Sequence, residues 1–357
     1  MVARERVVLG FSGGVDSLAA ACLLREEGFE VVPLLLEMGG AGDAELRARA
    51  ESAAKQLGLG LLVENLSRLF TAEVVDYLKN SYARAETPNP CLRCNAAVKF
   101  AGLGAVADRL GVEKLATGHY FQARPEIPVP NSSPERVYCR ARDRAKDQSY
   151  FLSLVPKRFL ARSLFPLADR TKEEIFGLAT AAGYRLENYR ESQELCFLNG
   201  ENYRDFLARS GICGTGPGTI VTRSGRVVGR HAGLENYTVG QRRGLDIAWS
   251  EPLYVLELEI AGNRLVVGPR EQTMSRSCVV SGLNWLVAAP AAELDLACQI
   301  RYRHRPAPAR IIPLEPDLVR VEFAEPQFAL TPGQGAAFYR GERLLGGGFI
   351  RSGKPSS

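Results

Sequence analysis

Two short stretches of this 357-residue chain combine residue types and spacing that could do chemistry. The first is Thr87-Pro88-Asn89-Pro90-Cys91-Leu92-Arg93-Cys94-Asn95, with a Cys-x-x-Cys pair at its centre. A thiolate is a nucleophile and a soft metal ligand, and its availability depends on a lowered thiol pKa. Pro88 and Pro90 hold the approach extended. A helical pattern follows, so Cys94 falls near a helix N-terminus, where the positive end of the dipole favours the anion. The second stretch is Gly10-Phe11-Ser12-Gly13-Gly14-Val15-Asp16-Ser17. It ends an apolar strand-like run and opens a helix, the context an anion site requires. Gly13 and Gly14 let the backbone approach a phosphate closely, and the helix start presents free N–H groups. Ser12 and Ser17 can donate hydroxyl hydrogen bonds, and Asp16 could help hold Mg2+. The stretch lacks the Gly-Lys-Ser/Thr ending of a Walker A loop.

These residues need a scaffold to bring them together. Val7–Phe11, Glu30–Leu36, Leu59–Glu64 and Glu113–Thr117 read as short buried strands. Val15–Glu27, Asp43–Leu57, Thr71–Arg84 and Leu92–Leu110 carry helical periodicity between them. Strands alternating with helices imply a parallel sheet covered on both faces, with ligands at the C-terminal ends of its strands. Pro125–Pro134 is a proline-rich interruption and reads as an exposed loop. From Gly214 onward the pattern changes to short β-like runs separated by glycine and proline: Gly218–Thr222, Tyr254–Ile260, Leu265–Val267, Leu318–Phe323 and Ala336–Tyr339. This half is expected to be mostly β, in two small domains that meet near Pro269–Gln272.

Bulk properties narrow the class. No run approaches about 18 apolar residues, so no membrane span is expected. Met1–Arg6 leads straight into an apolar strand with no small-residue cleavage site, which favours a cytoplasmic protein over a secreted one. Eight cysteines in such a chain do not read as a disulfide framework. Cys22, Cys139, Cys213, Cys278 and Cys298 have no partner at metal-ligand spacing and read as packing residues. The net charge of +5 fits a nucleic-acid partner without identifying one. Locally the signal is sharper. No acidic residue lies between Leu296 and Leu314, while Arg301, Arg303, Arg305 and Arg310 do. Arginine grips phosphate and the Tyr302 ring can stack on a base. Arg140, Arg142 and Arg144 alternate, as on one strand face.

The loop Gly10–Ser17 resembles the pyrophosphate loop of the N-type ATP pyrophosphatases, which usually transfer AMP. Amidation enzymes, argininosuccinate synthase and tRNA-modifying enzymes use similar loops, so the loop alone leaves the reaction open. Further motifs follow in order: Ala116-Thr117-Gly118-His119-Tyr120, Lys146-Asp147-Gln148-Ser149-Tyr150-Phe151-Leu152, Glu191-Ser192-Gln193-Glu194-Leu195-Cys196-Phe197, Gly229–Gly233, Tyr237–Leu245, Arg301-Tyr302-Arg303 and Pro332-Gly333-Gln334. With them the chain resembles the tRNA-specific 2-thiouridylase family (the MnmA type), from the loop to the C-terminus.

The resemblance implies an α/β fold: a parallel-sheet PP-loop ATPase domain over residues 1–200, a small central β-rich domain over 201–270 and a C-terminal β-barrel that contacts tRNA over 271–357. It implies ATP-dependent 2-thiolation of the wobble uridine, in the anticodon region of certain tRNAs. Gly10, Phe11, Ser12, Gly13, Gly14, Val15, Asp16, Ser17, Leu36 and Gly118 match ATP contacts. Asn89, Pro90 and Cys91 match positions that face the target base. His119, Lys146, Asp147, Gln148, Arg301, Tyr302 and Gln334 match tRNA contacts. Cys94 matches the nucleophile and Cys196 the persulfide-bearing cysteine. Two positions depart from the family: Leu36 stands where methionine is common, and Cys91 where aspartate is common.

The departure at Cys91 leaves two sulfur routes open. In one, Cys196 carries a persulfide and Cys94 releases its sulfur by forming a Cys94–Cys196 disulfide. In the other, Cys91, Cys94 and Cys196 ligate a 4Fe–4S cluster whose fourth iron takes hydrosulfide. The donor is correspondingly a persulfide-carrying protein or inorganic sulfide. Two rival classes are an AMP-forming enzyme with a small-molecule substrate and a non-catalytic RNA-binding protein. The first lacks a recognisable glutaminase-like pattern here, and the intact loop and reactive cysteines argue against the second.

Overall fold

A computed structural model describes residues 4–40, 42–126, 136–183, 195, 198, 203–211 and 214–351, with Tyr203 and Arg204 by backbone alone. The chain divides into two compact units, Met1–Glu73 with Cys91–Gly200 and Glu342–Leu345, and Val74–Pro90 with Glu201–Gly341 and Gly346–Ser357.

The first unit contains the strands β1 (Arg6–Gly10), β2 (Glu30–Glu37), β3 (Leu62–Asn65), β4 (Lys114–Thr117), β5 (Phe121–Pro125), β6 (Arg136–Arg140) and β7 (Ser163–Leu164). Five of them form a sheet in the order β3-β2-β1-β4-β7, and all its pairings are parallel. Central β1 shows why. Val7, Val8 and Leu9 are consecutive and fully buried, as a strand covered on both faces demands. On one face α1 (Val15–Glu26) packs with α2 (Asp43–Gln56) and the helix Lys172–Ala181 through Leu18, Ala19, Ala50, Ala53, Ile175 and Ala179. The small alanines allow close approach of the helices. On the other face the helix Phe100–Arg109 sets Leu103, Val106 and Ala107 against Val8, Leu34 and Leu115.

Two expected helices are interrupted. Leu92–Leu110 is resolved into Pro90–Cys94, a π-helical turn Asn95–Lys99, and Phe100–Arg109. The run expected over Thr71–Arg84 starts earlier, at Ser67, and carries a π turn over Thr71–Val75. Arg140, Arg142 and Arg144 do not share a strand face, because β6 ends at Arg140. The chain then turns, with Ala141 N donating to Asp147 Oδ1 at 2.8 Å. Arg142 reaches Asp169 O and Glu174, and Arg144 pairs with Glu342.

The helix Lys172–Ala181 begins with a capping box: Glu174 N donates to Thr171 Oγ1 at 3.3 Å and Thr171 N to Glu174 Oε2 at 2.6 Å. Thr171→Ala is therefore expected to cost about 1 kcal/mol of stability. Urea unfolding would measure this, and an unchanged midpoint would contradict it.

The second unit carries β8 (Gly218–Thr222), β9 (Val227–His231), β10 (Tyr254–Glu259) and β11 (Arg264–Gly268) in a sheet ordered β10-β11-β8-β9. It also carries β12 (Met274–Trp285), β13 (Leu294–Gln299), β14 (Ala307–Glu315), β15 (Leu318–Phe328), β16 (Gly335–Arg340) and, from Gly346 onward, β17 (Arg343–Arg351). These last six run β12-β15-β14-β13-β16-β17, and β12 pairs with β17 to close a barrel. Arg301–His304 is a turn after β13, with His304 N donating to Arg301 O at 3.0 Å. No helix among the described residues is long and apolar enough to cross a membrane.

Candidate active site

β1 ends at Gly10, between Leu34 of β2 and Thr117 of β4. The chain then turns through Ser12, Gly13 and Gly14 into α1. Gly13 has φ +69°, and a Cβ there would lie 2.7 Å from Ala50 Cα. No other residue fits that turn without displacing α2. Gly14 precedes α1 without a side-chain cap, so the first N–H groups of a 12-residue helix stay available to an anion. Ser12 Oγ lies 3.4 Å from Ser17 Oγ, which itself reaches Gly14 O at 3.0 Å. Arg49 Nε holds the loop by donating to Ser12 O at 3.2 Å. Buried Phe11 and Val15 anchor the loop's two ends in the core. Glycine backbone, helix start and two hydroxyls together fit a phosphate group.

Asp16 has partners that sequence alone did not supply. Lys172 Nζ donates to both carboxylate oxygens, at 2.7 and 2.8 Å, and Tyr120 OH donates to Oδ1 at 2.9 Å. The Lys172 side chain is only 12% exposed, and its ammonium lies 5.1 Å from the centroid of the Phe176 ring. The carboxylate expected to help hold Mg2+ is thus already matched by a cation. The available signal was the Thr171-x-x-Glu174 capping box, which places Lys172 at the first position of a helix.

Gly118 follows β4 and packs on the loop: a Cβ there would lie 3.1 Å from the Asp16 carbonyl carbon and 3.2 Å from Ser17 N. Leu36, near the end of β2, is half-buried against the Val8–Leu34–Leu115 cluster. Beside it, buried Glu37 accepts from Arg47 Nε and Nη2 at 2.7 and 2.8 Å, a pair that the sequence reading also missed.

His119 Nδ1 lies 3.0 Å from Thr117 Oγ1, and its ring centroid is 6.0 Å from that of Phe100. Burial, aided by the Lys99 charge, pushes its pKa down to about 3. A neutral imidazole bonds as a dipole and does not grip phosphate as a cation would. An NMR titration of this ring is expected to show no midpoint between pH 5 and 8, and a midpoint near 6.5 would contradict the burial.

The helix Phe100–Arg109 orients the cysteine pair. Leu103 lies against Gly10, at the C-terminal end of β1, while Val106 and Ala107 continue down the sheet beside Val8 and Leu115. Followed backward from Leu103, the chain passes through the π turn Asn95–Lys99 to Cys94, nine residues earlier. Cys94 is 3% exposed and Cys91 half-buried. The two stand at i and i+3 on one short helix, Cys91 in its first turn and Cys94 at its last residue, so Cys94 lies further from the dipole end than its sequence suggests. Arg93 pairs with Glu73. The π turn that follows buries Asn95, whose Nδ2 donates to Phe151 O at 3.4 Å and whose Oδ1 has no partner among the described residues. Single π turns of this kind are frequent at functional sites.

Asp147 and Gln148 are engaged within the fold. Asp147 accepts from Ala141 N at 2.8 Å and from Ser149 Oγ at 2.6 Å, and burial raises its pKa. Gln148 Oε1 accepts from Tyr120 N at 2.9 Å. Lys146 stands beside them in the same turn. Cys196 lies outside the described residues.

In the second unit Gln334 Nε2 donates to Thr87 O at 2.9 Å, and Thr87 N donates to Pro332 O at 2.8 Å. The segment that leads through half-buried Asn89 and buried Pro90 toward Cys91 is thereby fastened to the barrel. Arg301 Nη2 donates to Phe328 O at 3.0 Å, and its guanidinium lies 5.7 Å from the centroid of that ring. Tyr302 is half-buried in the same turn, and its carbonyl accepts from Gln299 Nε2 at 2.7 Å. Arg301 thus braces the barrel, and the exposed guanidinium of the turn is that of Arg303.

Three family models match the chain: a tRNA methyl transferase HUP domain over residues 5–200, a tRNA methyl transferase PRC-barrel domain over 204–269 and an aminomethyltransferase beta-barrel domain over 275–350. Among similar proteins, the tRNA-specific 2-thiouridylase MnmA of Synechococcus sp. (strain JA-2-3B'a(2-13)) is 44% identical over 360 residues, covering 99% of this chain and 96% of its own. MnmA of Trichormus variabilis (strain ATCC 29413 / PCC 7937) is 41% identical over 352 residues, covering 97% and 98%. That of Chlorobium luteolum (strain DSM 273 / BCRC 81028 / 2530) is 41% identical over 365 residues, covering 99% and 98%. With identity at this level over nearly the whole length of both partners, the chain belongs to the tRNA-specific 2-thiouridylase (MnmA) family.

Proposed function

We propose that this protein is an ATP-dependent tRNA-uridine 2-sulfurtransferase acting on the wobble position. The carrying observation is an uncapped phosphate cradle where β1 of the parallel sheet meets α1, in a unit that also holds the Cys91-x-x-Cys94 pair. The methyltransferase wording of the family models is not followed, because the cradle and the thiols suit adenylation and sulfur transfer. We further divide the chain into a catalytic domain over 1–200, a central domain over 201–270 and a barrel over 271–357, which the matched spans support.

The oxygen at C2 of uridine is a poor leaving group. Its attack on the α-phosphate of ATP forms a C2–O–AMP bond and expels pyrophosphate, which the helix start, Ser12 and Ser17 would hold. Leu36 and Gly118 would border the nucleotide. Mg2+, arriving on the phosphates, would neutralise their charge. A base must leave the anticodon stack to enter such a pocket. In the first unit Cys91 would face it, with His119, Lys146 and Gln148 as candidate RNA contacts; in the second unit Asn89, Arg303 and Gln334 are candidate RNA contacts of their own.

For the sulfur step, the terminal sulfur of a Cys196 persulfide attacks C2 and AMP leaves. The Cys94 thiolate then attacks the Cys196 sulfur. The bond to the transferred sulfur breaks, C2 keeps it as the thiocarbonyl, and a Cys94–Cys196 disulfide remains for a dithiol to reduce. A specific observation supports a second route: Cys91 and Cys94, at i and i+3, offer adjacent thiolates that with Cys196 would suit three irons of a 4Fe–4S cluster. Bound there, such a cluster would supply an open iron for hydrosulfide.

Pyrophosphate release with ATP in the presence and absence of tRNA tests the activation step. Release that requires tRNA is expected, and release indifferent to tRNA would overturn the reading.

A further inference from the structure

The β10-β11-β8-β9 sheet of the second unit carries basic side chains that the site described above does not use. From Phe206 to Leu234 the chain has no acidic residue, yet it contains Arg209, Arg223, Arg226 and Arg230. Elsewhere guanidinium groups are commonly matched by carboxylates, as in Arg47–Glu37, Arg109–Glu64, Arg162–Asp108 and Arg310–Asp295. Arg264 of β11 follows that habit with Glu259. Arg223, Arg226 and Arg230 have no carboxylate partner among the described residues, and all three are exposed.

Arg223 and Arg226 flank the tight turn between β8 and β9, which is closed by Gly225 N to Thr222 O at 2.9 Å and Thr222 N to Arg226 O at 2.9 Å. The segment after Leu245 runs beside β9, where a Cβ on Gly229 would meet Ile247 at 3.5 Å. It ends on Trp249, whose ring lies 5.0 Å beneath the Arg226 guanidinium. Trp249 is 37% exposed and neighbouring Val227 61%. A stacked guanidinium uses its face on the indole and keeps its N–H edge outward, the edge that binds phosphate oxygens. The stack also restricts the long arginine side chain, so less freedom is lost when an anion binds. An exposed indole among unpaired arginines fits the alternation of phosphate and base in RNA.

We infer that the β8–β9 turn, with Arg223, Arg226 and Trp249, is a second tRNA-contacting surface, distinct from the barrel turn at Arg303. This rests on the proposal that tRNA is the substrate. The surface grips the RNA backbone irrespective of sequence and anchors the molecule while the anticodon reacts elsewhere.

The test uses the full chain, bulk bacterial tRNA and a salt series. Arg223→Ala/Arg226→Ala should weaken tRNA binding about tenfold near 0.1 M salt and flatten the slope of log affinity against log salt by roughly 2, about one per lost phosphate contact. ATP binding should be unchanged. In a Trp285→Phe background Trp249 is the sole indole, since the chain has two tryptophans, and its fluorescence should change as tRNA saturates. Wild-type affinity and slope in the double variant, with a silent indole, would overturn the inference. So would variants that bind tRNA normally but lose an acidic persulfide-carrying protein, which would make the surface a protein dock. If the wild type itself fails to bind tRNA, the substrate proposal falls, a result separable from failure of the turn alone.

Discussion

Lys172→Met is expected to weaken ATP binding roughly a hundredfold, and adding Asp16→Asn should restore much of the loss. The argument is one of charge. Asp16 is the second residue of α1, immediately beyond the phosphate cradle, and a bare carboxylate there would repel a triphosphate. Lys172 matches it through two contacts, at 2.7 and 2.8 Å. With the ammonium gone, a unit negative charge about 5 Å from a phosphate costs about 3 kcal/mol at an effective dielectric constant near 20, a factor of roughly a hundred. Asparagine at position 16 removes that charge and can still accept from Tyr120 OH. ATP titration of wild type, both single variants and the double variant reads the cycle. A double variant no better than Lys172→Met would show that the lysine acts on ATP directly or on folding, not by matching Asp16.

Cys94→Ser should abolish thiolation, a loss of roughly a thousandfold or more, while tRNA-dependent pyrophosphate release continues. The two outcomes separate because the cradle makes no use of Cys94, and activation of the uridine precedes sulfur delivery. Cys139→Ser is the control. That thiol is half-buried on β6, and burial raises its pKa, so it stays protonated and a poor nucleophile. Loss of pyrophosphate release together with thiolation in Cys94→Ser would place Cys94 in activation or in folding. Equal loss in Cys139→Ser would remove the distinction between the two thiols.

Parts of this molecule were legible in the sequence for definite reasons. Val7-Val8-Leu9 followed by a glycine turn can be little else than a central parallel strand feeding a helix, and β1 and α1 are found there. Gly218–Thr222 matches β8 residue for residue because proline and glycine bound it on the N-terminal side and a polar turn follows it. Other elements carried no local signal. β14 holds Pro308 and Pro313, and β17 holds Gly346-Gly347-Gly348, compositions that argue against strands. The glycines of β17 are dictated by β12, since a Cβ on Gly346 would lie 2.1 Å from Asn284 O and one on Gly348 2.6 Å from Val280. Such a demand comes from a distant strand and cannot be read locally. At the site, the loop and the cysteine pair were readable because their chemistry requires fixed spacing. Lys172 was not, because its partner Asp16 is 156 positions away. Arg301 likewise has a partner its basic sequence neighbours do not announce: its Nη2 donates to Phe328 O, 27 positions away.

The most direct test of the central claim is nucleoside mass spectrometry on an unmodified tRNA transcript with uridine at the wobble position, after reaction with the protein, ATP, Mg2+ and either a persulfide donor or, anaerobically, sulfide. The expected product is 2-thiouridine at that position, formed only with ATP and matched by equal amounts of AMP and pyrophosphate. A methylated uridine, or unmodified tRNA despite ATP turnover, would contradict the assignment.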